Sequence, residues 1–336
     1  MVRLSTIKPL NTNRGTKLTI PSIAGNDSQT MPIPLGWDRL PPEYAIPERA
    51  PSKAEAQEYC RRLARSHYEN FSVATWFLPE RLRQHFFNIY AYCRISDDLG
   101  DEVGDPQASL VMLDQWQAEL DACYAGNPRH PVFVALEETV RKFDIPQQPF
   151  DDLLKAFRQD QTVTRYDRFE DLLGYCRYSA NPVGHLVLYL CGYRDLERQA
   201  LSDSTCTALQ LANFWQDVSD DYSKGRIYLP LEDLRRYQVT EDDISAARNT
   251  PAFRGMMRFE VQRARQWFEQ GLPLAGKVDR ELAVDIELFS RGGQEILTAI
   301  ERQDYAVLGR RPAISKSRKL ALVARAALGK LLGERV

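Results

Sequence analysis

The chain lacks most of the signatures that announce a function. Its six cysteines (Cys60, Cys93, Cys123, Cys176, Cys191 and Cys206) contain no CxxC pair, which leaves out a dithiol redox motif and a cysteine zinc knuckle. Four of them fall inside apolar helical patterns, as expected of reduced thiols in a cytosolic protein. The four histidines (His67, His85, His130 and His185) form no HxxxH or HExxH pattern, so a zinc site is unsupported. No GxGxxG follows a strand signal, and a dinucleotide-binding fold is not indicated. The net charge of −2 gives no basic excess to attract nucleic acid. The longest apolar run, Leu186 to Cys191, falls far short of a bilayer span. The first residues lack the continuous apolar core of a secretory signal. Alternating β-branched runs bounded by hairpin turns are nearly absent, and no short repeat period stands out.

What is present is helix after helix. Residues 1–50 read as a disordered or loosely packed tail, because proline recurs there among Thr, Ser and Asn and forbids a continuous helix. Ser52 with Glu55 is a capping-box start, and from there helical spacing of apolar residues continues over 51–336, read as one catalytic domain. Helices are expected at about 80–101, 106–124, 131–143, 147–159, 170–178, 183–191, 197–222, 253–274 and 280–301. The expected fold is all-α, a single bundle whose facing helices line a cavity.

Two acidic stretches about 120 residues apart organise this bundle. The first runs Cys93-Arg94-Ile95-Ser96-Asp97-Asp98-Leu99-Gly100-Asp101-Glu102. The second runs Asn213-Phe214-Trp215-Gln216-Asp217-Val218-Ser219-Asp220-Asp221, followed by Lys224-Gly225-Arg226-Ile227-Tyr228. Asp97 with Asp101, and Asp217 with Asp221, stand four apart, about 6 Å along a helix face. Two carboxylates at that separation repel by about 0.7 kcal/mol in water and about 3 kcal/mol at an effective dielectric of about 20. Exposed, such a pair means little; lining a cavity, it needs cations. One or two hard oxygen ligands per metal, completed by water and phosphate, is the Mg²⁺ pattern. Tyr90 and Arg94 extend the first pair into a stripe, which faces either solvent or a wet cavity. Asn213 stands one turn before Asp217. Lys224-Gly225-Arg226 suits a loop folding over phosphate, where Arg gives bidentate contacts. Gly184, in Asn181-Pro182-Val183-Gly184, permits either close helix approach or a bend. A basic amphipathic helix at about 315–332 either lies on a membrane surface or packs on the bundle.

Together these residues resemble the squalene/phytoene synthase family, the head-to-head prenyl diphosphate synthases. The resemblance spans about residues 52–332 and rests on Tyr90-x-x-x-Arg94-x-x-Asp97-Asp98-x-x-Asp101 and on Asn213-x-x-x-Asp217-x-x-x-Asp221-x-x-x-x-Arg226-x-Tyr228-x-Pro230. It implies a single-domain isoprenoid synthase helical bundle around a central hydrophobic channel. It implies that Asp97, Asp101, Asp217 and Asp221 hold Mg²⁺ ions bridging an isoprenoid diphosphate. Asn213, Arg94 and Arg226 would hold diphosphate oxygens, with Tyr90 and Tyr228 nearby. Tyr175 matches a channel tyrosine, Phe71 a phenylalanine of the entry helix, and Arg311 a late arginine that contacts diphosphate.

Within that family, Glu69-Asn70-Phe71-Ser72-Val73, Phe157-Arg158-Gln159-Asp160 and Tyr178-Ser179-Ala180-Asn181-Pro182-Val183-Gly184 are similar to the hydroxysqualene synthase branch of the bacterial hopanoid pathway. That branch ionises presqualene diphosphate and quenches the cation with water, without NADPH. The resemblance therefore implies a lyase coupled to a separate presqualene diphosphate synthase. It implies a cytoplasmic protein, peripheral to the inner membrane face if the C-terminal helix lies on lipid. The alternative within the family condenses two farnesyl or other prenyl diphosphates to squalene, dehydrosqualene or phytoene. A non-catalytic assembly protein of the same fold is the alternative from another class.

Overall fold

The computed structural model describes residues 40–66, 79–315, 317–322 and 324. His67 and Phe71 lie outside the described residues, as does most of the expected tail. Among the described residues up to Arg302, thirteen α-helices follow one another: α1 (Lys53–Ser66), α2 (Glu80–Asp101), α3 (Pro106–Ala125), α4 (Pro131–Lys142), α5 (Gln148–Gln159), α6 (Phe169–Ser179), α7 (Asn181–Leu190), α8 (Leu196–Gln216), α9 (Val218–Ser223), α10 (Leu231–Arg236), α11 (Glu241–Ser245), α12 (Pro251–Gly271) and α13 (Arg280–Arg302). Among the described residues there is no strand, only one isolated bridge between Arg165 and Ile227. The protein is all-α.

Local chemistry sets the boundaries. Asp105 caps α3 by accepting from Ala108 N at 2.7 Å, and Pro106 supplies the first helical residue, where a missing N–H costs nothing. Asp195, Thr250 and Asp279 cap α8, α12 and α13 in the same way, each satisfying a donor that the first turn leaves over. The most consequential departure from the sequence reading lies at Asp217. The expected helix over 197–222 is two helices, because Asp217 adopts φ −105° and ψ 16° and serves as the C-cap of α8 and the N-cap of α9.

Two apolar clusters fill the interior. One joins α1 to α5 through Tyr92, Trp116, Phe133 and Phe150. The other gathers α6, α8 and α12 through Tyr175, Phe214, Trp215 and Phe268. α8 packs against α12, α13 and α7. At the α7–α8 crossing a Cβ on Gly184 would lie 2.2 Å from Ser202 Oγ and 2.7 Å from Cys206 Sγ. Gly184 thus serves close approach rather than a bend, since no side chain fits there.

Two edges of the chain differ from the sequence picture. Leu40 and Tyr44, inside the stretch read as a tail, are buried, and the Tyr44 hydroxyl donates to Asp98 Oδ2 at 2.7 Å. At the other end, residues 317–322 are helical, with Leu320 70% exposed and Arg318 bonded to Glu295 of α13 at 2.8 Å. No helix among the described residues is long and apolar enough to cross a membrane.

Candidate active site

The C-terminal half of α2 runs through the interior, so its polar stripe faces inward. Tyr90, Arg94 and Asp97 are buried, and the Asp101 side chain is 3% exposed. Arg94 is gripped by Asp98, four residues on, through Nε at 3.0 Å and Nη2 at 2.5 Å. Burial works against the Arg94 charge, but Asp98 and Asp97 outweigh it and raise its pKa. Its remaining nitrogen, Nη1, is buried with no hydrogen-bond partner among the described residues. Burial raises the pKa of Tyr90, with Asp97 and Asp98 adding to the effect over the opposing Arg94. Its phenol is therefore neutral over the physiological range.

The second stretch arrives at the end of α8 and through α9. Asn213, Asp217 and Asp221 are all buried, and Asn213 Nδ2 has no partner among the described residues. Arg311, from the segment after α13, clamps Asp217 through Nε and through Nη2 at 3.2 Å, and Nη2 also donates to Gln216 Oε1 at 3.0 Å. Gln216 Nε2 in turn donates to Pro312 O at 2.6 Å. The late arginine and the second acidic stretch are thus one unit.

The two stretches meet through the loop after α9. Gly225 takes φ +78°, a left-handed turn that a residue with a Cβ adopts only at a cost. It returns the chain so that Arg226 N donates to Asp221 O at 2.9 Å. The Arg226 guanidinium then reaches Asp101 Oδ1 at 2.6 Å, and Lys224 Nζ lies 3.4 Å from Asp101 Oδ2. Residues 125 apart in sequence therefore form one buried ion pair.

Behind this pair stands Asp160, at the C-cap of α5. It accepts from the Tyr175 hydroxyl at 2.7 Å and the Tyr228 hydroxyl at 3.1 Å. The Tyr228 ring stacks on Phe214 at 4.0 Å and 7°, with Tyr166 5.7 Å from its other neighbours Tyr228 and 5.6 Å from Tyr175.

Tyr90, Arg94, Asp97 and Asp101 stand on α2, and Arg226 and Lys224 tie Asp101 to the loop after α9; Asp160 ties Tyr175 of α6 to Tyr228 of that loop, while Asn213 on α8 and Asp217 and Asp221 at α9 carry the second stretch, with Arg311 on Asp217. Phe71 lies outside the described residues. The sequence reading passed over Asp98, Asp160 and Tyr44 as site residues. Asp98 was signalled by its i+4 spacing from Arg94, and Asp160 only by the resemblance of the stretch Phe157-Arg158-Gln159-Asp160; Tyr44 had no local signal.

Six carboxylates (Asp97, Asp98, Asp101, Asp160, Asp217 and Asp221) face four cations (Arg94, Lys224, Arg226 and Arg311) in this region. That excess of buried negative charge suits added cations. No three His, Cys, Asp or Glu side chains among the described residues converge to hold a metal by themselves. The hard oxygen donors fit Mg²⁺ shared with a phosphate ligand, the arrangement in which the protein supplies only one or two carboxylates per ion. The Arg94 and Asn213 donors, short of acceptors, fit the anion that would bring it.

Comparison with known proteins gives the same grouping. The squalene/phytoene synthase family model matches residues 64–318. The 15-cis-phytoene synthase of Synechococcus elongatus is 32% identical over 289 residues, covering 82% of this chain and 94% of that protein. The crystal structure of squalene synthase HpnC from Alicyclobacillus acidocaldarius superposes with a TM-score of 0.72 at 45% identity, covering 80% of this chain and 98% of the other. A dehydrosqualene synthase structure superposes with a TM-score of 0.76 at 25% identity, covering 83% and 98%. A helical bundle that brings both acidic signatures into one buried cluster, matched by that family model over most of its length, is an enzyme of the squalene/phytoene synthase family.

Proposed function

We propose that the chain converts presqualene diphosphate to hydroxysqualene with release of diphosphate, in a Mg²⁺-dependent reaction that needs no NADPH. The observation that carries this reading is the pair of buried donors, Arg94 Nη1 and Asn213 Nδ2, left without acceptors beside the acidic residues of both stretches. A diphosphate supplies those acceptors. Bound Mg²⁺ supplies charge neutralisation of the leaving diphosphate.

The residues have separable tasks in this proposal. Asp97, Asp101, Asp217 and Asp221 hold the metal. Arg94, Asn213, Arg226 and Arg311 bind diphosphate oxygens, where arginine forks match the anion. To do so Arg226 and Arg311 exchange a carboxylate partner for a phosphate one, which frees Asp101 and Asp217 for the ions. The aromatic walls exclude bulk water and meet the cation with ring faces, so that a single water adds to the cation and loses a proton as the hydroxyl of hydroxysqualene forms.

The squalene series is favoured over the phytoene series by the 45% identity to squalene synthase HpnC, against 32% to the 15-cis-phytoene synthase. The hydroxysqualene outcome is favoured by Glu69-Asn70-Phe71 and Ser179-Ala180-Asn181-Pro182, which replace the family's usual stretches. A separate condensing enzyme would supply the substrate. The test is product analysis with presqualene diphosphate and Mg²⁺, with and without NADPH, beside farnesyl diphosphate alone. Hydroxysqualene is expected from the first substrate irrespective of NADPH. Substantial hydrocarbon from farnesyl diphosphate alone would instead identify a condensing synthase.

A further inference from the structure

We propose that Asp160 is a positioning residue for the reaction: it fixes the hydroxyls of Tyr175 and Tyr228 so that their oxygens face the reaction as hydrogen-bond acceptors. The inference rests on the proposed function for the identity of the reacting cation, and on the geometry of this cluster for the rest.

Asp160 is 5% exposed. One carboxylate oxygen receives the Tyr175 hydroxyl at 2.7 Å and the other receives the Tyr228 hydroxyl at 3.1 Å. In both bonds the phenol is the donor and the carboxylate oxygen the acceptor. Each phenol has only one proton. Having donated it to Asp160, neither can donate to a diphosphate oxygen, and the lone pairs that remain would repel one. The same lone pairs attract a carbocation, or the hydrogens of a water. Tyr175 and Tyr228 therefore belong to the cation side of the reaction rather than to the grip on diphosphate.

The acceptor is held rigidly, as a positioning role requires. The neighbouring Gln161 Nε2 donates to Gly100 O of α2 at 2.8 Å, and Gln159 Nε2 to the Tyr166 hydroxyl at 3.3 Å. The Asp160 carbonyl accepts from Arg226 Nη2 at 3.4 Å, on the guanidinium that pairs with Asp101. One residue thus links the aromatic wall to the place where the two acidic stretches meet. The rings cannot turn to seek other partners, because Tyr228 is stacked on Phe214.

The substitution Asp160→Asn keeps the shape but turns one acceptor oxygen into a donor, so one phenol must reverse its bond. Steady-state kinetics and product analysis are run with whichever of presqualene diphosphate and farnesyl diphosphate the wild type turns over. The expected result is a fall in kcat of about 10–100-fold, the usual cost of losing an orienting partner, with KM changed less than about threefold and an altered ratio of alcohol to other products. Asp160→Asn in a Tyr175→Phe background should cost much less than in the wild type, because the two act through one bond. If Asp160→Asn does not fold, Tyr175→Phe and Tyr228→Phe read the same acceptors, and both must lower kcat and shift the product ratio.

An Asp160→Asn enzyme with wild-type kcat and products would overturn the proposal, as would a rise in KM alone, which would place Asp160 with the diphosphate. Turnover of farnesyl diphosphate but not presqualene diphosphate removes the proposed function and leaves the Asp160 comparison in force. Turnover of neither removes both.

Discussion

Arg94 has Asp97 and Asp98 within reach along its own helix, and it takes the one four residues on. The choice of Asp98 over Asp97 follows from helix geometry, since i+4 places the guanidinium fork in line with the carboxylate. It has a consequence for the site. Arg94 is held in place by Asp98, which is not among the four carboxylates proposed as metal ligands. Tyr44, from before α1, adds a third partner, and burial followed by the Asp98 charge raises its pKa, so it stays a donor. The pair is buried, with side chains 10% and 6% exposed. Removing one member strands the other charge in a poorly solvated place. Asp98→Ala is therefore expected to destabilise the protein by about 3–5 kcal/mol, read from urea unfolding. Arg94→Met, which removes the charge that Asp98 opposes, should partly restore the stability of the Asp98→Ala variant. A loss below about 1 kcal/mol for Asp98→Ala would mean that Arg94 finds another carboxylate at no cost.

At the scale of elements, much of the molecule was legible because helix signals are local. The 22-residue α2 was readable from Leu82, Phe86, Phe87, Ile89, Tyr90 and Cys93, whose spacing follows the helical period. α3 was readable from Asp105-Pro106 at its start and Gly126 at its end. The interruption at Asp217 was not legible, since apolar spacing continues across it and the bonds from Asp217 N to Asn213 O and from Asp221 N to Asp217 O both persist. The side chain at that turn is held by Arg311, arriving from 94 residues downstream. Tertiary partners of that kind leave no trace in a local window. The same reason hid Asp160, whose two phenol partners lie 15 and 68 residues away. The acidic stretches were legible as candidates through their spacing; their meeting through Arg226 was not.

The start of α4 carries a titratable cap. His130 is fully buried, packed edge-on against Trp116 and Phe133, and its Nδ1 accepts from Val132 N at 3.2 Å. Accepting requires an unprotonated nitrogen. Burial lowers its pKa from 6.5 to about 3. The unfolded chain therefore binds a proton near pH 6.5 while the folded protein does not. The stabilisation is complete above pH 6.5 and is lost as pH falls towards about 3, with a limiting slope of about 1.4 kcal/mol per pH unit. His130→Asn retains a capping acceptor but not the titration. Urea unfolding between pH 7 and 4.5 should give a smaller pH dependence in the variant than in the wild type. Equal slopes would show that His130 is protonated in the folded protein.

For the whole molecule, the apolar clusters serve to hold together a group of charges that would otherwise repel. Arg226 and Arg311 pair with Asp101 and Asp217, and this partial neutralisation offsets the repulsion among the carboxylates of the two stretches. In the proposed reaction a diphosphate with Mg²⁺ would complete the neutralisation, so both components are expected to bind together or hardly at all. Pyrophosphate alone meets an acidic site; Mg²⁺ alone meets carboxylates already paired with arginine. A ligand at about 100 times its Kd adds about 2.7 kcal/mol to stability, which for a chain of this size corresponds to a rise in Tm of several degrees. Inorganic pyrophosphate and Mg²⁺ together are therefore expected to raise Tm by more than the sum of either alone. Asp101→Asn and Asp217→Asn should each lose most of that rise, measured for each variant against its own Tm with neither component added. A rise of the same size with Mg²⁺ alone, or one that survives both substitutions, would place the divalent ions elsewhere and separate the acidic cluster from diphosphate binding.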